Sequence, residues 1–386
     1  MSERMLSYLD DHEKDQFRLL QELVLQPSFS YSKEGVDKVG ELIRQPLENC
    51  GMKLEVVQEK EVGNQLIFRS AACSPEKRSI LLTGHMDTVF PVDSNFNWYK
   101  EHDGKIFGPG VIDMKGGLVT AVFAIRAMAH CGLLDAIPLT LICNSDEEIG
   151  SPHSRKIIRS EAEKCLFAMV FECGGLNGEV VTGRKGKAGY RLDVTGRAGH
   201  AAFAGSDKAS AILELAHKTI ALEQLNDDPK GIVVNVGVVE GGMGANSVAE
   251  AAGAEIDTRY LYQADARETA ERIRLIAENC SVAGTTSILK ETSSRLPMER
   301  NRGNRKLFQL VEEQAELLDI QVREELRSGV SDANTIAETS VPVIDGMGPV
   351  GDCDHSDREY MIKESLPVRT KLAALSLVAC WGHYSV

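Results

Sequence analysis

The stretch LLTGHMDTVFP, residues 81–91, decides the first step of the fold prediction. It begins as a buried apolar strand and ends with His85 and Asp87, two positions apart. Alternate residues of an extended chain point to the same side, so both side chains can face one site. Because open α/β sheets usually bind ligands at the carboxyl ends of their strands, we expect a site where this strand ends.

The segments around this strand alternate between strand-like and helix-like patterns. Further strand-like runs are NQLIF (64–68), PLTLICNS (138–145) and FAMVFE (167–172), and helical patterns cover 13–27, 34–49, 116–132 and 153–164. Such alternation indicates an α/β sheet with helices on both faces.

The pattern changes near Gly186. From there the predicted order of elements is β-α-β-β-α-β, with helices at 207–225 and 266–280. This order is the split βαβ arrangement, which forms a small domain of its own. After this small domain the alternation of strands and helices returns. We therefore predict a discontinuous main domain, 1–185 and 297–386, and an inserted domain, 186–296.

Composition and charge limit the class of protein. A chain of 386 residues is too long for one ordinary core, and 43% hydrophobic with 26% charged residues is typical of globular proteins. The net charge of -14 disfavours nucleic acid binding, which normally needs a basic surface. No apolar run reaches the roughly 18 residues that cross a bilayer, and the acidic start lacks the features of a signal peptide. We therefore expect a cytoplasmic protein with neither a membrane nor a nucleic acid partner.

The nine cysteines are odd in number, dispersed along the chain and without a CxxC pair. This usage predicts free thiols in a reducing compartment, and it disfavours both a disulfide framework and a cysteine zinc site.

Several polar residues stand where apolar runs of the main domain stop. Five separate segments carry them, namely His85 with Asp87, Asp113, Asp146 with Glu147 and Glu148, Glu172, and His355. Singly, such residues commonly solvate loops or cap helices. Burying several like charges together is unfavourable unless cations neutralise them, so their convergence predicts a metal site. Two imidazoles with at least three carboxylates suit zinc or a similar divalent ion, and a shared carboxylate suits two ions.

The motifs HMDTV, GPGVIDMKGG, NSDEEIGS, VFECGG and GDCDHSD, in this order and spacing, closely resemble those of the M20 metallopeptidases. The resemblance is especially to members like glutamate carboxypeptidase, and it covers nearly the whole chain. It implies a zinc-peptidase-like mixed α/β sheet flanked by helices, with an inserted ferredoxin-like domain that serves as lid and dimerisation surface.

The resemblance also implies two zinc ions per subunit, for which Co²⁺ or Mn²⁺ could substitute. His85 and Glu172 would hold one ion, Glu148 and His355 would hold the other, and Asp113 would bridge both. Each ion would keep an open position for a shared water, as catalytic zinc requires.

The same resemblance assigns two catalytic roles beside the ligands. Glu147 would be the general base that takes a proton from the attacking water and passes it to the leaving nitrogen. Asp87 would lie behind His85 and fix its ring through a hydrogen bond. The alternative for Asp87 is a turn residue that satisfies nearby backbone N–H groups.

Three residues of the inserted domain match substrate-contacting positions of the family, and a fourth is a candidate with a looser alignment. His200 would polarise the substrate carbonyl, typically in the active site of the partner subunit, and Asn246 would help to bind the substrate. Arg259 would lie near the substrate carboxylate. Arg295 is a second candidate for gripping that carboxylate, with a surface arginine as the alternative.

Cys173 and Cys353 flank predicted ligands, and we interpret them as small buried residues. Glu172, where some relatives have aspartate, favours the carboxypeptidase and deacylase branches over dipeptidases of the aminopeptidase type.

The resemblance predicts a di-zinc hydrolase that cleaves the amide bond of an N-acyl or N-peptidyl amino acid with a free carboxylate. The leading interpretation is a homodimeric carboxypeptidase that acts on C-terminal glutamate or similar residues. One alternative is an N-acyl amino acid deacylase of the acetylornithine or succinyl-diaminopimelate type. A remote alternative is a non-catalytic binding protein on the same fold.

Overall fold

The computed structural model describes residues 1–385, which form two compact units. Unit 1 comprises Met1–Gly183, Arg300–Leu326 and the chain from Ser331 onward. Unit 2 comprises Arg184–Glu299 and the short stretch Arg327–Val330. The role of unit 2 as a lid or a dimerisation domain stays a prediction.

Ten α-helices occur within residues 1–385. They are α1 (Ser2–Asp11), α2 (Glu13–Leu25), α3 (Lys33–Glu48), α4 (Lys115–His130), α5 (Arg155–Ala162), α6 (Ala211–Glu223), α7 (Gln263–Glu278), α8 (Arg302–Leu317), α9 (Asp332–Ala337) and α10 (Ser365–Tyr384). Within the same residues, no helix is both long and apolar enough to cross a membrane.

The strands are short except in unit 2. They are β1 (Lys53–Val57), β2 (Gln65–Arg69), β3 (Ser79–His85), β4 (Lys100–His102), β5 (Lys105–Phe107), β6 (Leu139–Asn144), β7 (Cys165–Val170), β8 (Glu179–Arg184), β9 (Gly186–Thr195), β10 (Gly199–His200), β11 (Val233–Gly241), β12 (Ser247–Val248), β13 (Ala251–Tyr260), β14 (Thr286–Arg295), β15 (Arg323–Arg327), β16 (Val343–Ile344), β17 (Gly351–Asp352) and β18 (Tyr360–Ile362).

The main sheet of unit 1 is mixed, which confirms the predicted fold class. Its strand order is β1-β2-β6-β3-β7-β16, in which β6, β3, β7 and β16 run parallel and β1 and β2 add antiparallel strands at one edge. Every residue of β3 and β6 is buried, as expected for central parallel strands that are covered on both faces.

Helix α4 fixes the geometry beside the carboxyl ends of these strands. It packs against α10 and is buried along nearly its whole length. An added Cβ at Gly117, in its first turn, would lie 1.8 Å from the carbonyl oxygen of Phe171. Glycine therefore allows the start of α4 to approach the chain that follows β7. This close approach sets the distance between the segments that carry Asp113 and Glu172.

Unit 2 contains a four-stranded antiparallel sheet with the order β11-β13-β9-β14. Helices α6 and α7 pack against this sheet around an apolar core that includes Leu192, Leu215, Ile256 and Ile273. A separate ribbon joins β10 to β12. The chain order of the six main elements is β9-α6-β11-β13-α7-β14, the split βαβ order.

Candidate metal centre

His85 is the last residue of β3 and its side chain is buried. Its Nδ1 lies 3.0 Å from the backbone carbonyl oxygen of Asp87. Because a carbonyl oxygen only accepts hydrogen bonds, Nδ1 must be the donor, and Nε2 is left to face the site. Nε2 lies 3.0 Å from Asp113 Oδ1 and 3.7 Å from Glu172 Oε1.

Asp113 stands between two histidines in the loop before α4. Its Oδ1 faces His85, and its Oδ2 lies 3.2 Å from Nε2 of His355. The same Nε2 lies 3.1 Å from Glu148 Oε2. The two oxygens of Asp113 thus face two separate pairs, each made of one imidazole and one further carboxylate. The structure brings the five predicted ligands together.

The donor atoms fit divalent cations. Oε1 of Glu148 is buried and has no hydrogen-bond partner within the described residues, a position that a bound cation would fit. Ligand atoms of His85, Asp113 and Glu148 lie within 4.8 Å of one another, as do those of Asp113, Asp354 and His355. Imidazole nitrogens and carboxylate oxygens are the ligands of catalytic zinc sites.

The carboxylates lie close to one another, and this proximity shifts their pKa values. Burial and the charge of Asp113 raise the pKa of Glu148 to about 8 and that of Glu172 well above its usual value. Hydrogen bonds to Asp113 and Glu148 raise the pKa of His355 to about 11. Burial opposes protonation of His85, but hydrogen bonds to Asp113 and Asp87 outweigh it and raise its pKa as well. Protons on these groups supply the positive charge that bound cations would supply instead.

The carboxylate of Asp87 contacts the turn after β6 as well as His85. Its Oδ1 and Oδ2 each accept a backbone N–H, from Glu147 and Glu148 respectively, both at 3.2 Å. Its Oδ2 also accepts the hydroxyl of Ser30 at 2.7 Å. The distance from Oδ1 to Nδ1 of His85 is 3.4 Å, longer than the 3.0 Å from Nδ1 to the backbone carbonyl. Each of the two predicted roles of Asp87 therefore has a matching contact. The contact with His85 matches the role of fixing its ring, and the contacts with the two N–H groups match the role of a turn residue.

The three consecutive acids after β6 have different surroundings. Asp146 is buried, and its Oδ2 accepts the backbone N–H of His153 at 2.7 Å and that of Ser154 at 3.2 Å. Glu147 begins a short 3₁₀ helix, Glu147–Ile149, and is only partly buried. Glu148 points to His355. The turn thus directs Asp146 inward and Glu148 to the ligand cluster, and Glu147 between them is partly buried.

The substrate candidates of unit 2 divide into exposed and buried residues. His200 and Asn246 are exposed and neighbours, since β10 pairs with β12 and the carbonyl of Asn246 accepts the N–H of Ala201 at 2.9 Å. The side chain of Arg259 is 27% exposed, and its Nε donates to Asp257 at 2.8 Å. Arg295 is only 5% exposed, so it is not the surface arginine considered as its alternative.

Two acidic residues near the cluster were not predicted from the sequence. Asp354 joins Asp113 and His355 in one candidate group. Glu359 is fully buried, and its carboxylate accepts the N–H groups of Gly110, Ile112 and Asp113. Burial raises its pKa to about 8 although the three N–H groups oppose the rise. The only signal in the sequence was their position, directly before and shortly after His355.

All nine cysteines are free thiols. Cys173 and Cys353 are partly buried, and within residues 1–385 neither belongs to a group of side chains that could hold a metal ion.

A mixed α/β sheet whose strand ends gather two imidazoles around a shared carboxylate defines a metal-dependent hydrolase. The family model described as Peptidase family M20/M25/M40 matches residues 81–378, and the chain belongs to this family.

The chain is similar to characterised members with different activities. It is 26% identical to carboxypeptidase G2 of Pseudomonas sp. (strain RS-16) over 376 residues, which cover 94% of this chain and 89% of that protein. It is 27% identical to acetylornithine deacetylase of Proteus mirabilis (strain HI4320) over 265 residues, or 63% of this chain and 66% of that protein. The crystal structure of aminopeptidase PepT from Bacillus cereus ATCC 10987 has the same fold, with a TM-score of 0.76 at 22% identity over 94% of this chain and 99% of that chain.

Proposed function

We propose that this protein is a di-zinc carboxypeptidase that removes C-terminal glutamate or a similar amino acid from an N-acyl or N-peptidyl substrate. The observation that carries the proposal is Asp113, whose two carboxylate oxygens face two different histidines. The similarity to carboxypeptidase G2 over most of both chains supports the choice of a carboxypeptidase.

The chain's own residues would divide the reaction among them. Bound zinc ions would polarise the scissile carbonyl and lower the pKa of a water molecule toward neutrality. Glu147, on the turn that also carries a ligand, would take the proton of the attacking water and deliver it to the leaving nitrogen. His200 would stabilise the negative charge that develops on the carbonyl oxygen.

The free carboxylate of the substrate needs a cation to bind it. Arg259 is the stronger candidate because its side chain is partly exposed, whereas Arg295 is buried. The guanidinium of Arg259 already pairs with Asp257, so substrate would share or replace that partner. Asn246, exposed on the same unit, would add a neutral hydrogen bond to the substrate.

The test begins with metal content and continues with activity. Purified protein is analysed for bound metals, and hydrolysis of a panel of N-acyl amino acids is measured with and without a chelator. We expect about two zinc ions per chain and chelator-sensitive release of glutamate from N-acylglutamates. Protein that holds no metal and hydrolyses no member of the panel would contradict the proposal.

A second candidate function is deacylation of an N-acyl amino acid, which the similarity to acetylornithine deacetylase favours. The same panel separates the two functions when the amino acid is varied first and the acyl group second. Turnover of acetylornithine far above that of every N-acylglutamate would replace the carboxypeptidase proposal with the deacylase.

We also propose that unit 2 mediates a homodimer. Strand β11 is an edge strand of its sheet and exposes Val238 and Val239, the latter by 58%. Helix α6, which packs beside β11, exposes Ile212 and Ile220, the latter by 61%. An apolar surface next to an unpaired strand edge is suited to pairing with a second copy.

A further inference from the structure

The carboxyl group of Glu359 accepts three backbone hydrogen bonds, which its position in the sequence does not suggest. Its Oε1 accepts the N–H of Ile112 at 2.9 Å and that of Asp113 at 3.1 Å. Its Oε2 accepts the N–H of Gly110 at 2.9 Å. These hydrogen bonds satisfy buried backbone N–H groups that would otherwise lack a partner.

The position of Glu359 in the chain connects two ligand segments. It lies four residues after His355 and directly before β18, which pairs with β5. Strand β5 leads into the loop that ends at Asp113. The side chain of Glu359 therefore spans from the His355 segment to the Asp113 loop.

The His355 segment needs such an anchor. His355 has a φ of 57° and a side chain that is 54% exposed, so the packing around it leaves its position open. Asp113 must in turn keep both oxygens aimed at different histidines. A single buried carboxylate that binds the backbone of the Asp113 loop restrains both segments at once.

We propose that Glu359 is a positioning residue that sets the distance between Asp113 and His355 and thereby the affinity of the metal centre. The inference rests on the proposed metal centre but not on the identity of the substrate. Glutamine in place of Glu359 has one carboxamide oxygen, and its NH₂ group would face a backbone N–H. The Asp113 loop would then lose at least one hydrogen bond and gain a repulsive contact.

The test measures metal binding rather than turnover alone. Co²⁺ affinity is determined by competition with a chelating dye, and the visible spectrum of bound Co²⁺ reports the geometry of its ligands. We expect Glu359→Gln to weaken Co²⁺ binding by about 10–100-fold and to change the spectrum. Glu359→Asp, which keeps both carboxyl oxygens on a shorter side chain, should retain part of the affinity.

Glu161→Gln is the matched control. Glu161 is also a buried acid of unit 1, but its partners are Arg69 at 2.6 Å and Lys164 at 2.9 Å, and within residues 1–385 it belongs to no candidate ligand group. We expect it to lower the free energy of unfolding while leaving Co²⁺ affinity and spectrum unchanged. This separates a positioning role from a general loss of stability.

Three outcomes decide the inference. Wild-type Co²⁺ affinity and spectrum in folded Glu359→Gln would overturn it, and so would wild-type affinity in Glu359→Asp if the glutamine variant does not fold. Wild-type protein that binds no Co²⁺ would overturn both the inference and the metal centre. Wild-type protein that binds Co²⁺ but hydrolyses no member of the panel would contradict the proposed substrate alone, and the Co²⁺ comparison would still decide the role of Glu359.

Discussion

At the scale of single residues, neighbouring carboxylates acquire different roles from small differences in direction. Glu148 points to His355, and Glu147, one position earlier, is partly buried. Asp87 accepts both backbone N–H groups. The chemistry of the two side chains is the same, so the turn that carries them determines which one faces the histidine.

Replacing Glu147 tests the proposed general base. We expect Glu147→Ala to keep its metal content and to lose about a hundredfold or more in kcat, because proton transfer then lacks a positioned base. Glu316→Ala, an exposed acid on α8, is the control and should retain wild-type kcat. Metal analysis and steady-state kinetics give both values, and near wild-type turnover in Glu147→Ala would remove Glu147 from the mechanism.

Metal uptake should release protons. The pKa of His355 is about 11 and that of Glu148 about 8 without metal, so both groups hold protons at pH 7. Ligands bind metal in their deprotonated forms, so Zn²⁺ must displace these protons and its affinity should rise with pH. Calorimetry in buffers of different ionisation enthalpy counts the released protons. Affinity that stays constant between pH 6 and pH 8 would contradict this expectation.

The sequence contained enough information to predict which side chains lie close together, but not which residue supports them. His85, Asp113 and His355 stand in motifs at the ends of apolar runs, where a resemblance could be found. The sequence does not distinguish Glu359 from other acidic residues that precede a strand, because neither its burial nor its three N–H partners are visible there.

At the scale of elements, helix caps and turns set the ends of helices and strands. The hydrophobic periodicity of the sequence predicted those ends only approximately. The helix predicted at 207–225 begins at Ala211, because the side chain of Ser210 accepts the N–H of Leu213. The apolar run VPVIDGMG, 341–348, with which the first element pattern returns, contributes only the two residues of β16. Its extension ends where Asp345 accepts the hydroxyl of Ser331 and Gly346 takes a φ of 70°.

Helix α7 ends against a buried lysine of α6, and this contact should stabilise unit 2. Nζ of Lys218 donates to the carbonyl oxygens of Ile276, Ala277 and Asn279 at 2.7–2.8 Å. The same atom lies 3.2 Å from Oε1 of Glu214, and both side chains are almost fully buried. The lysine thus satisfies the last carbonyls of α7 and neutralises a buried acid.

Lys218→Met should lower the free energy of unfolding by about 3–5 kcal/mol, because it leaves Glu214 as an unpaired buried charge. In the double variant Lys218→Met with Glu214→Gln, the loss should be smaller than in Lys218→Met alone. Urea denaturation monitored by circular dichroism measures both. Equal losses in the single and double variants would show that the buried charge is not the cause.

At the scale of the whole molecule, unit 1 is discontinuous and all five predicted ligands belong to it. Four of them come before unit 2 in the chain and His355 comes after it. The predicted boundaries at 185 and 297 lie close to those of the compact units, because the change from one element pattern to another is visible in the sequence. The short stretch Arg327–Val330 was not foreseen, since nothing in its sequence distinguishes it from an ordinary loop.

The proposed dimer is tested on the apolar surface of unit 2. We expect Ile220→Glu combined with Val239→Glu to halve the mass measured by light scattering, because charges would replace buried apolar contacts. Ile288→Glu is the control, since Ile288 is exposed on β14 at the opposite edge of the same sheet. A wild-type protein that is monomeric at micromolar concentration would contradict the dimer.

Mixing two inactive variants tests whether His200 acts on the partner subunit. In a mixed dimer of Glu147→Ala and His200→Ala chains, one active site has an intact Glu147 and receives an intact His200 from its partner. We expect activity to reappear on mixing after subunit exchange. A mixture that stays inactive while mass analysis shows mixed dimers would exclude a role for His200 in the partner's site.

The two hydrogen bonds between Asp87 and the turn after β6 limit which substitutions the site can accept. The two carboxylate oxygens of Asp87 accept the backbone N–H groups of the proposed base and of the proposed ligand, and so tie the two positions together. We expect a substitution that shifts Glu148 to move Glu147 with it and to misalign the proposed base. Under the proposed function, metal affinity and catalytic rate would therefore change together, and changes meant to alter the metal preference should begin at Glu172 or His355, outside that turn.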